Sequence, residues 1–363
     1  MVVFSAEVYD RMSLTKTKVL ATLCIPAYNG KQFINAALES AESQICPNLE
    51  ILVSDDGSTD GTLEIVQCFA TRSRHRVRIL EHEQLGLVQN WNYCLREAQG
   101  KYVKFLFQDD LLDPECLNKL LDLAEQDEQI GLVFSKRRIL LGDGSKEPED
   151  DWEKMNWFLF DLHKHWTQLA RIQSGADLLN DPKFLQEPLN KIGEPTTVLL
   201  RKSALEEVGF FDESLRQAVD SEMWFRILTK YKCGFVDECL STYRVHENQA
   251  SQGNVNAGII QDDYCAVMAK IATHPAFSSL SENQRSLAWT KAWRMNPKNS
   301  GVSSVFLLKT LAKGILENPD SRVLLRSELG KWVAGKFSWQ LPGRILSDLK
   351  WWATNWPKRL FGK

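Results

Sequence analysis

The amino-acid sequence predicts an α/β fold with a mostly parallel sheet, helices on both faces of that sheet and a helical C-terminal region. Short apolar runs alternate with segments of helical periodicity through residues 19–134, which is the pattern of repeated β-α-β units. Two of these apolar runs end in a pair of aspartates, and beyond about residue 253 no further strand pattern occurs. Parallel strands in such units are covered by helices on both faces.

Each predicted element follows from a local residue pattern. Dense apolar runs predict strands at residues 19–27, 49–53, 77–80, 101–107, 130–134 and 197–200. Apolar side chains at helical spacing predict helices at residues 33–41, 63–69, 88–98, 117–124 and 221–228. Pro114 suits the first turn of the fourth helix, because an N–H at that position would have no partner within the helix.

The composition is that of an ordinary globular protein, with 44% apolar residues, 25% charged residues and a net charge of −3. This charge gives no reason to expect nucleic-acid binding. No apolar run is long enough to cross a bilayer, and residues 1–14 lack the features of a signal peptide. The eight cysteines include no C-x-x-C pair, which predicts free, buried thiols in a reducing compartment. We therefore expect a cytoplasmic protein.

The first acidic pair, Asp55-Asp56, ends the second predicted strand and precedes a glycine-containing turn. Ser58, Thr59 or Asp60 can cap the helix that follows, so a well-capped turn without a ligand is one interpretation. In the other interpretation, a carboxylate at this position accepts hydrogen bonds from a base or a sugar hydroxyl.

The second pair, Asp109-Asp110, ends the fourth predicted strand. Adjacent carboxylates repel each other unless a cation is near, and an oxygen-rich site with few protein ligands suits Mg²⁺ or Mn²⁺ bound to a diphosphate. Helix capping is the alternative. Because ligands of parallel sheets bind at the carboxyl ends of the strands, we expect both acidic pairs at one site.

Two more residues carry candidate chemistry in the second half of the chain. Asp220 begins an amphipathic helix, where an acid also interacts favourably with the helix dipole whether or not it has a chemical role. His246 ends the run Tyr243-Arg244-Val245-His246, although a single histidine is more often structural than functional.

Seven short motifs follow one another along residues 19–251. They are Pro26-Ala27-Tyr28-Asn29, Asp55-Asp56-Gly57-Ser58, Gly86 with Asn92, Asp109-Asp110, Gly209-Phe210-Phe211-Asp212-Glu213, Asp220 with Trp224 and Arg226, and Tyr243-Arg244-Val245-His246. Their order resembles that of the family 2 glycosyltransferases, which have the GT-A fold on a Rossmann-like sheet. The resemblance implies transfer of a sugar from a nucleotide-diphosphate sugar, with UDP the expected nucleotide, to an acceptor hydroxyl with inversion. Cell-surface polysaccharide or glycolipid synthesis is the implied setting.

The resemblance also implies a nucleotide site. Pro26, Ala27 and Tyr28 would line the base pocket, and Asp56 would hydrogen-bond the base. Asp109 would lie near the ribose.

A metal site and a catalytic base follow from the same resemblance. Asp110 would ligate Mn²⁺ or Mg²⁺, and His246 would lie near the metal or the diphosphate. Asp220 matches the catalytic base of the family, which takes a proton from the acceptor hydroxyl.

The sequence departs from the family pattern at two positions. Phe107 stands where the fullest metal motif has another aspartate, and Val219 replaces an acid that often precedes the catalytic aspartate. Glu222 is therefore the fallback for the base, and a catalytically degenerate nucleotide-sugar-binding protein is the alternative function. A nucleotidyltransferase or dinucleotide-dependent oxidoreductase is disfavoured, because the chain has no P-loop and no G-x-G-x-x-G after its first strand.

We expect four regions along the chain: an N-terminal extension at 1–18, a GT-A domain at 19–252, a helical region at 253–330 and a tail at 331–363. The tail holds seven basic residues, one acid and five tryptophans. A basic, tryptophan-rich amphipathic helix suits the headgroup region of an anionic membrane. Packing on the main domain or at a dimer contact is the alternative. A lipid-linked acceptor at the inner face of the membrane would account for such a tail.

Overall fold

The computed structural model describes residues 18–141, 161–246, 249 and 259–295. The predictions for the N-terminal extension up to residue 17, for the helical region beyond residue 295 and for the basic tail at 331–363 therefore lie outside the described residues.

The described residues form a nine-stranded sheet in which most neighbouring strands near the candidate site are parallel. Its spatial order is β3-β2-β1-β4-β8-β6-β9-β5, and β7 pairs with β9. The first four strands in this order are mutually parallel, β8 is antiparallel to both β4 and β6, and β9 is parallel to β6. The strands are β1 (Ala21–Ala27), β2 (Leu49–Asp55), β3 (Arg76–Glu81), β4 (Tyr102–Phe105), β5 (Leu111–Leu112), β6 (Ile130–Leu141), β7 (Ile172–Ser174), β8 (Val198–Arg201) and β9 (Lys232–Val245).

Helices connect these strands and follow them toward the C-terminus. They are α1 (Ile34–Glu42), α2 (Thr62–Arg72), α3 (Leu87–Glu97), α4 (Cys116–Ala124), α5 (Gly175–Leu179), α6 (Lys202–Val208), α7 (Val219–Leu228), α8 (Ile259–Thr273) and α9 (Glu282–Met295). The predicted α/β fold is confirmed, and the helices at 33–41, 63–69, 88–98, 117–124 and 221–228 occur within two residues of their predicted starts.

The sheet separates two apolar cores, because successive side chains of a strand point to opposite faces. In the fully buried strand β1, Leu23 and Ile25 contribute to the core that contains α1, α2 and α4. Cys24 contributes to the other core, where α3, α7 and α8 pack. Burial on both faces explains why β1 reads as a continuous apolar run.

The longest strand, β9, has no counterpart among the predicted strands. Its 14 residues include Lys232, Asp237 and Glu238, and many of its side chains are only half-buried. The strand β6 continues seven residues past the predicted end at Phe134, and the extension pairs with β9 as far as Leu141 and Val245. This pairing carries the end of β9 to the candidate site.

The described part of the predicted helical region consists of α8 and α9. Val267 on α8 and Ala288 on α9 are fully buried in the same core as α3 and α7. The two helices therefore complete the core of the α/β domain, while the predicted boundary at residue 252 stays a prediction.

The structure also describes the cysteines and the lengths of the helices. All eight cysteines are unpaired, and six of them are buried. None of the helices within the described ranges has the length and apolar content needed to span a bilayer.

Candidate functional site

The candidate site lies at the carboxyl ends of β1, β2 and β4. The N–H of Asp56 donates to the carbonyl oxygen of Ala27 over 2.8 Å, which places the two strand ends side by side. Next to them, the N–H of Tyr28 donates to Oε1 of Gln108 over 2.9 Å. The predicted edge, with residues following three different strands, is therefore present in the fold.

Side chains of the loop after β2 hold the loop after β1. The N–H of Asn29 donates to Oγ of Ser58, and its Oδ1 accepts from the N–H of Thr59 over 2.8 Å. Asn29 itself has a left-handed backbone with φ 46°, which asparagine tolerates better than most residues. The Tyr28 ring is 42% exposed beside this loop, so it is accessible to a base.

The buried carboxylate of Asp56 organises the loop that precedes α3. Its Oδ1 accepts from the N–H of Leu85 over 2.6 Å, and its Oδ2 accepts from the N–H of Gly86 over 2.9 Å. Gly86 has φ 98° and ψ 162°, a conformation open almost only to glycine. Asp56 therefore fixes the loop before α3, and a carboxylate that accepts two such bonds still has lone pairs for a base N–H.

Asp109 and His246 come together at the end of β9. Oδ2 of Asp109 lies 2.9 Å from Nε2 of His246, and the two side chains are 22% and 14% exposed. Arg244 donates from Nε to the carbonyl oxygen of Asp109 over 3.0 Å, and the His246 ring contacts that of Phe33 at 4.7 Å. A carboxylate and an imidazole thus meet at the accessible edge of the site.

Asp110 points to different partners from its neighbour Asp109. Its side chain is 1% exposed, its Oδ2 accepts from Oγ1 of Thr196 over 2.7 Å, and its Oδ1 accepts from the N–H of Arg244 over 3.0 Å. Burial, and then the neighbouring charge of Asp109, raise the pKa of this carboxyl well above its ordinary value. The sequence assignment, in which Asp110 ligates the metal and Asp109 lies near the ribose, stays a prediction.

Asp220 is the second residue of α7, as predicted. Its Oδ2 accepts from Nδ2 of Asn190 over 2.9 Å, and its Oδ1 accepts from the N–H of Ser221 over 2.6 Å. Burial raises the pKa of Asp220 to about 7, with a further increase from the nearby charge of Glu194, against the lowering effect of the Ser221 bond. A carboxyl with this pKa is suited to take up a proton near neutral pH.

One segment links Asp220 with the Asp109-Asp110 turn. Within residues 190–197, Asn190 bonds Asp220 and Thr196 bonds Asp110, while the charge of Glu194 raises the pKa of both aspartates. The local sequence patterns did not single out Asn190, Glu194 or Thr196. In the sequence these residues lie in an irregular segment before a predicted strand. Their position at the site follows only from the pairing of β8 with β4.

The fallback acid, Glu222, is committed to an ion pair. Its carboxylate accepts from Nε of Arg226 over 3.0 and 2.9 Å, and only 2% of the residue is exposed. Arg226 also donates to the carbonyl oxygens of Val208, Gly209 and Phe210. Glu222 and Arg226 thus hold the loop before α7, and Asp220 is the acid of this helix that remains for chemistry.

Phe107 contributes an aromatic ring where the family pattern has an acid. It stacks on Trp91 with ring centroids 4.8 Å apart and an interplanar angle of 24°. Because a phenyl ring has no lone pairs for a cation, a metal at this edge has to be held by neighbouring groups.

The donor set of the edge fits a small divalent cation shared with a phosphate ligand. In the part of the chain that the structure describes, no group of three or more His, Cys, Asp or Glu side chains could hold a metal alone. Mg²⁺ and Mn²⁺ sites of nucleotide enzymes commonly have one or two protein ligands, and phosphate oxygens and water complete the shell. The Asp109–His246 pair meets that requirement at an accessible position, whereas Asp110 is only 1% exposed.

Comparison with known proteins gives a family match over the same region. The model of "Glycosyl transferase family 2" matches residues 22–209, more than half of the chain. A protein of Mycobacterium tuberculosis (strain CDC 1551 / Oshkosh), "Uncharacterized protein MT1568", is 32% identical over 234 residues, which are 64% of this chain and 69% of that protein. The chondroitin synthase of Escherichia coli is 33% identical over 126 residues, covering 35% of this chain and 18% of that protein.

Two solved structures share the fold at lower sequence identity. TarS 1–349 of S. aureus in complex with UDP-GlcNAc has a TM-score of 0.56 and 19% identity, with 85% of each chain covered. The mannosyltransferase PcManGT of Pyrobaculum calidifontis, in complex with GDP-Man and Mn²⁺, has a TM-score of 0.52 and 20% identity, covering 84% of this chain and 82% of that one.

Proposed function

Because the chain belongs to glycosyltransferase family 2, we propose that it transfers a sugar from a nucleotide-diphosphate sugar to an acceptor hydroxyl, with inversion at the anomeric carbon. The observation that carries the proposal is the meeting of two functional groups along one edge of the sheet. Asp109 and His246 pair at the accessible end of β4, and segment 190–197 joins that turn to Asp220.

The nucleotide binds, in this proposal, between the loops after β1 and β2. The exposed Tyr28 ring supplies an apolar surface for a base, and Asp56 supplies an acceptor for an N–H of that base. Pro26 and Ala27 form the end of the buried strand beneath them. UDP is the nucleotide that we propose, and the complex of TarS 1–349 with UDP-GlcNAc supports it. GDP is the alternative, because PcManGT was solved with GDP-Man.

We assign the metal to Asp109 and His246 rather than to Asp110. The bound Mn²⁺ or Mg²⁺ would offset the negative charge of the departing nucleoside diphosphate. Asp109 and His246 are half-buried side chains whose polar atoms already converge. Asp110 instead holds Thr196 and the backbone of Arg244, and so keeps the turn and the end of β9 together.

Asp220 acts as the general base of a single displacement. Its carboxylate removes the proton of the acceptor hydroxyl while that oxygen attacks the anomeric carbon from the face opposite the leaving diphosphate. One displacement of this kind inverts the anomeric configuration. Asn190 orients the carboxylate through its 2.9 Å bond to Oδ2, and fixing donor and acceptor together supplies much of the acceleration.

The pH profile of kcat/KM should report the pKa of Asp220. Only the ionised carboxylate can accept a proton, so below about pH 7 the rate should fall about tenfold per pH unit, and above it the rate should level off. Initial rates of nucleoside-diphosphate release between pH 5 and 9 measure this. A rate that stays level down to pH 5, as expected for a carboxyl with the ordinary aspartate pKa of about 4, would contradict the assignment.

The acceptor class that we propose is based on the name of one similar protein. The chondroitin synthase of E. coli carries the name of a polysaccharide-forming enzyme, which supports cell-surface polysaccharide or glycolipid synthesis as the setting. A glycan or a lipid-linked glycan is the acceptor that we propose.

Phe107 is the feature that favours the alternative, a degenerate protein that binds nucleotide sugars without turnover. Its stacking on Trp91 leaves an apolar surface beside Asp109. Consumption of a donor by the wild-type protein separates the two functions, because a degenerate protein would bind nucleotide and leave the donor intact.

We also propose, from the sequence alone, that residues 331–363 contact an anionic membrane as a peripheral element at its inner face. These basic, tryptophan-rich residues should bind vesicles of phosphatidylglycerol more than vesicles of phosphatidylcholine. Deletion of residues 331–363 should abolish co-sedimentation with the anionic vesicles. Equal co-sedimentation of the deleted and full-length proteins would refute this role.

A further inference from the structure

The buried side chain of Asp263, on α8, binds the backbone immediately before α7. Its Oδ2 accepts from the N–H groups of Arg216, Gln217 and Ala218 over 2.7, 2.5 and 3.0 Å. Only 6% of Asp263 is exposed. Charge-assisted bonds of this kind are about twice as strong as neutral ones, so a single carboxylate oxygen fixes three successive peptide groups.

These peptide groups lead directly into the helix that carries Asp220. The residue before α7, Ala218, provides no side-chain cap for the helix, and the first N–H groups of a helix need acceptors from elsewhere. Asp263 supplies an acceptor for the approach to α7 from a separate helix, 45 residues further along the chain from Ala218. The entry angle of α7, and with it the position of Asp220, therefore depends on α8.

A further contact shows that α8 stays close to α7 about two turns beyond Asp263. Nζ of Lys270 lies 3.3 Å from Oε1 of Glu222 and also pairs with Asp212. The helix is held in turn by its fully buried Val267 and Ile271.

We propose that Asp263 is a positioning residue for the general base: it fixes residues 216–218 so that Asp220 meets the acceptor hydroxyl in a reactive geometry. The inference rests on the proposed function, because it takes Asp220 to be the base. It also adds to the catalytic unit a helix that begins at Ile259, outside residues 22–209 that match the family model.

Kinetic measurements on Asp263→Asn and Asp263→Ala test the proposal. Misplacement of a reacting group by about 1 Å costs about 100-fold, so we expect kcat to fall by about 100-fold in the alanine variant and less in the asparagine variant, which keeps one acceptor oxygen. The affinity for the nucleoside diphosphate should change less than about twofold, because the Asp263 bonds reach residues 216–218 and not the loops around Asp56. Asp262→Asn is the matched control, since it removes the same charge from the adjacent position, and it should leave kcat unchanged.

The pH profile distinguishes positioning from a general loss of structure. The groups that face Asp220 are Asn190, Ser221, Glu194 and Tyr264, and none of them is removed by the Asp263 variants. Loosening residues 216–218 lets water reach Asp220, so the acid limb of kcat/KM should move to lower pH in Asp263→Asn. An unchanged limb together with wild-type kcat in this variant would overturn the proposal.

Hydrogen exchange separates failure of the inference from failure of the proposed function. In Asp263→Asn the amides of residues 216–218 and the first turn of α7 should exchange faster, while those of Leu85 and Gly86 keep the wild-type rate. Unchanged exchange at residues 216–218 would overturn the positioning role even for a protein without transfer activity. Faster exchange in Asp263→Asn, together with no donor consumption by the wild type, would support the role of the Asp263 contact and refute only the proposed function.

Discussion

Asp220→Asn should lower kcat for sugar transfer by about 10²–10⁴-fold, the usual contribution of a general base. The amide has nearly the shape of the carboxylate and can still accept one hydrogen bond from Asn190, but it cannot take up the acceptor proton. Nucleotide binding should be preserved, because Asp56 and Asp109 lie after other strands. Initial rates of donor consumption, with calorimetric binding of the nucleoside diphosphate, measure the two quantities.

A matched control for this variant is Asp177→Asn. Asp177 also lies in the first turn of a helix, α5, but its side chain is exposed and the helix follows β7 rather than β1, β2 or β4. The control should keep wild-type transfer. If Asp220→Asn retained more than a tenth of wild-type kcat, Asp220 would not be the base, and the ion-paired Glu222 would not be a ready substitute.

Asp109→Ala should remove the metal dependence of nucleotide binding, the second large effect that we expect. In the wild type, Mn²⁺ should strengthen the binding of the nucleoside diphosphate, because Asp109 and His246 would hold the ion and its charge would offset that of the diphosphate. Removal of a group that only hydrogen-bonds a metal ligand lowers metal affinity by roughly 10–100-fold. Removal of Asp109, a direct ligand in this proposal, should lower the affinity for Mn²⁺ by more than that. Titration calorimetry with and without Mn²⁺ compares the two proteins.

Asp110→Asn is the informative comparison, because it tests the neighbouring carboxylate at the same turn. The asparagine keeps an acceptor for Thr196 or for the N–H of Arg244, so the variant should fold and should retain Mn²⁺-dependent binding. Loss of that dependence in Asp110→Asn, with its persistence in Asp109→Ala, would restore the assignment that the sequence resemblance implies.

The strand ends and Asp220 could be predicted from sequence because the signals are local. A buried parallel strand reads as an apolar run, and the turn after β2 reads as carboxylates followed by glycine and capping residues. The helix periodicity after residue 219 places Asp220 at the start of α7. Each of these patterns depends on neighbours within about one turn or one strand of the chain.

The burial of Asp109 and Asp110 depends on contacts between distant segments. Thr196, 86 residues away, and the end of β9, more than 130 residues away, determine which carboxylate is buried. The strand β9 is itself hidden in the sequence, because its charged and half-buried residues lack strict alternation. Asp263 is a buried acid in a helical stretch, and nothing local indicates that it binds the backbone before α7.

The central claim, inverting transfer with Asp220 as the base, is tested most directly by proton NMR of a donor reaction. Wild-type protein and Asp220→Asn would each be incubated with Mn²⁺, a panel of UDP-, GDP- and dTDP-sugars and simple glycan acceptors, and the anomeric signals followed in time. We expect the wild type to consume one donor and form a product of opposite anomeric configuration, and Asp220→Asn to leave that donor intact. A product that retains the donor configuration, or no donor consumption by the wild type, would contradict the account.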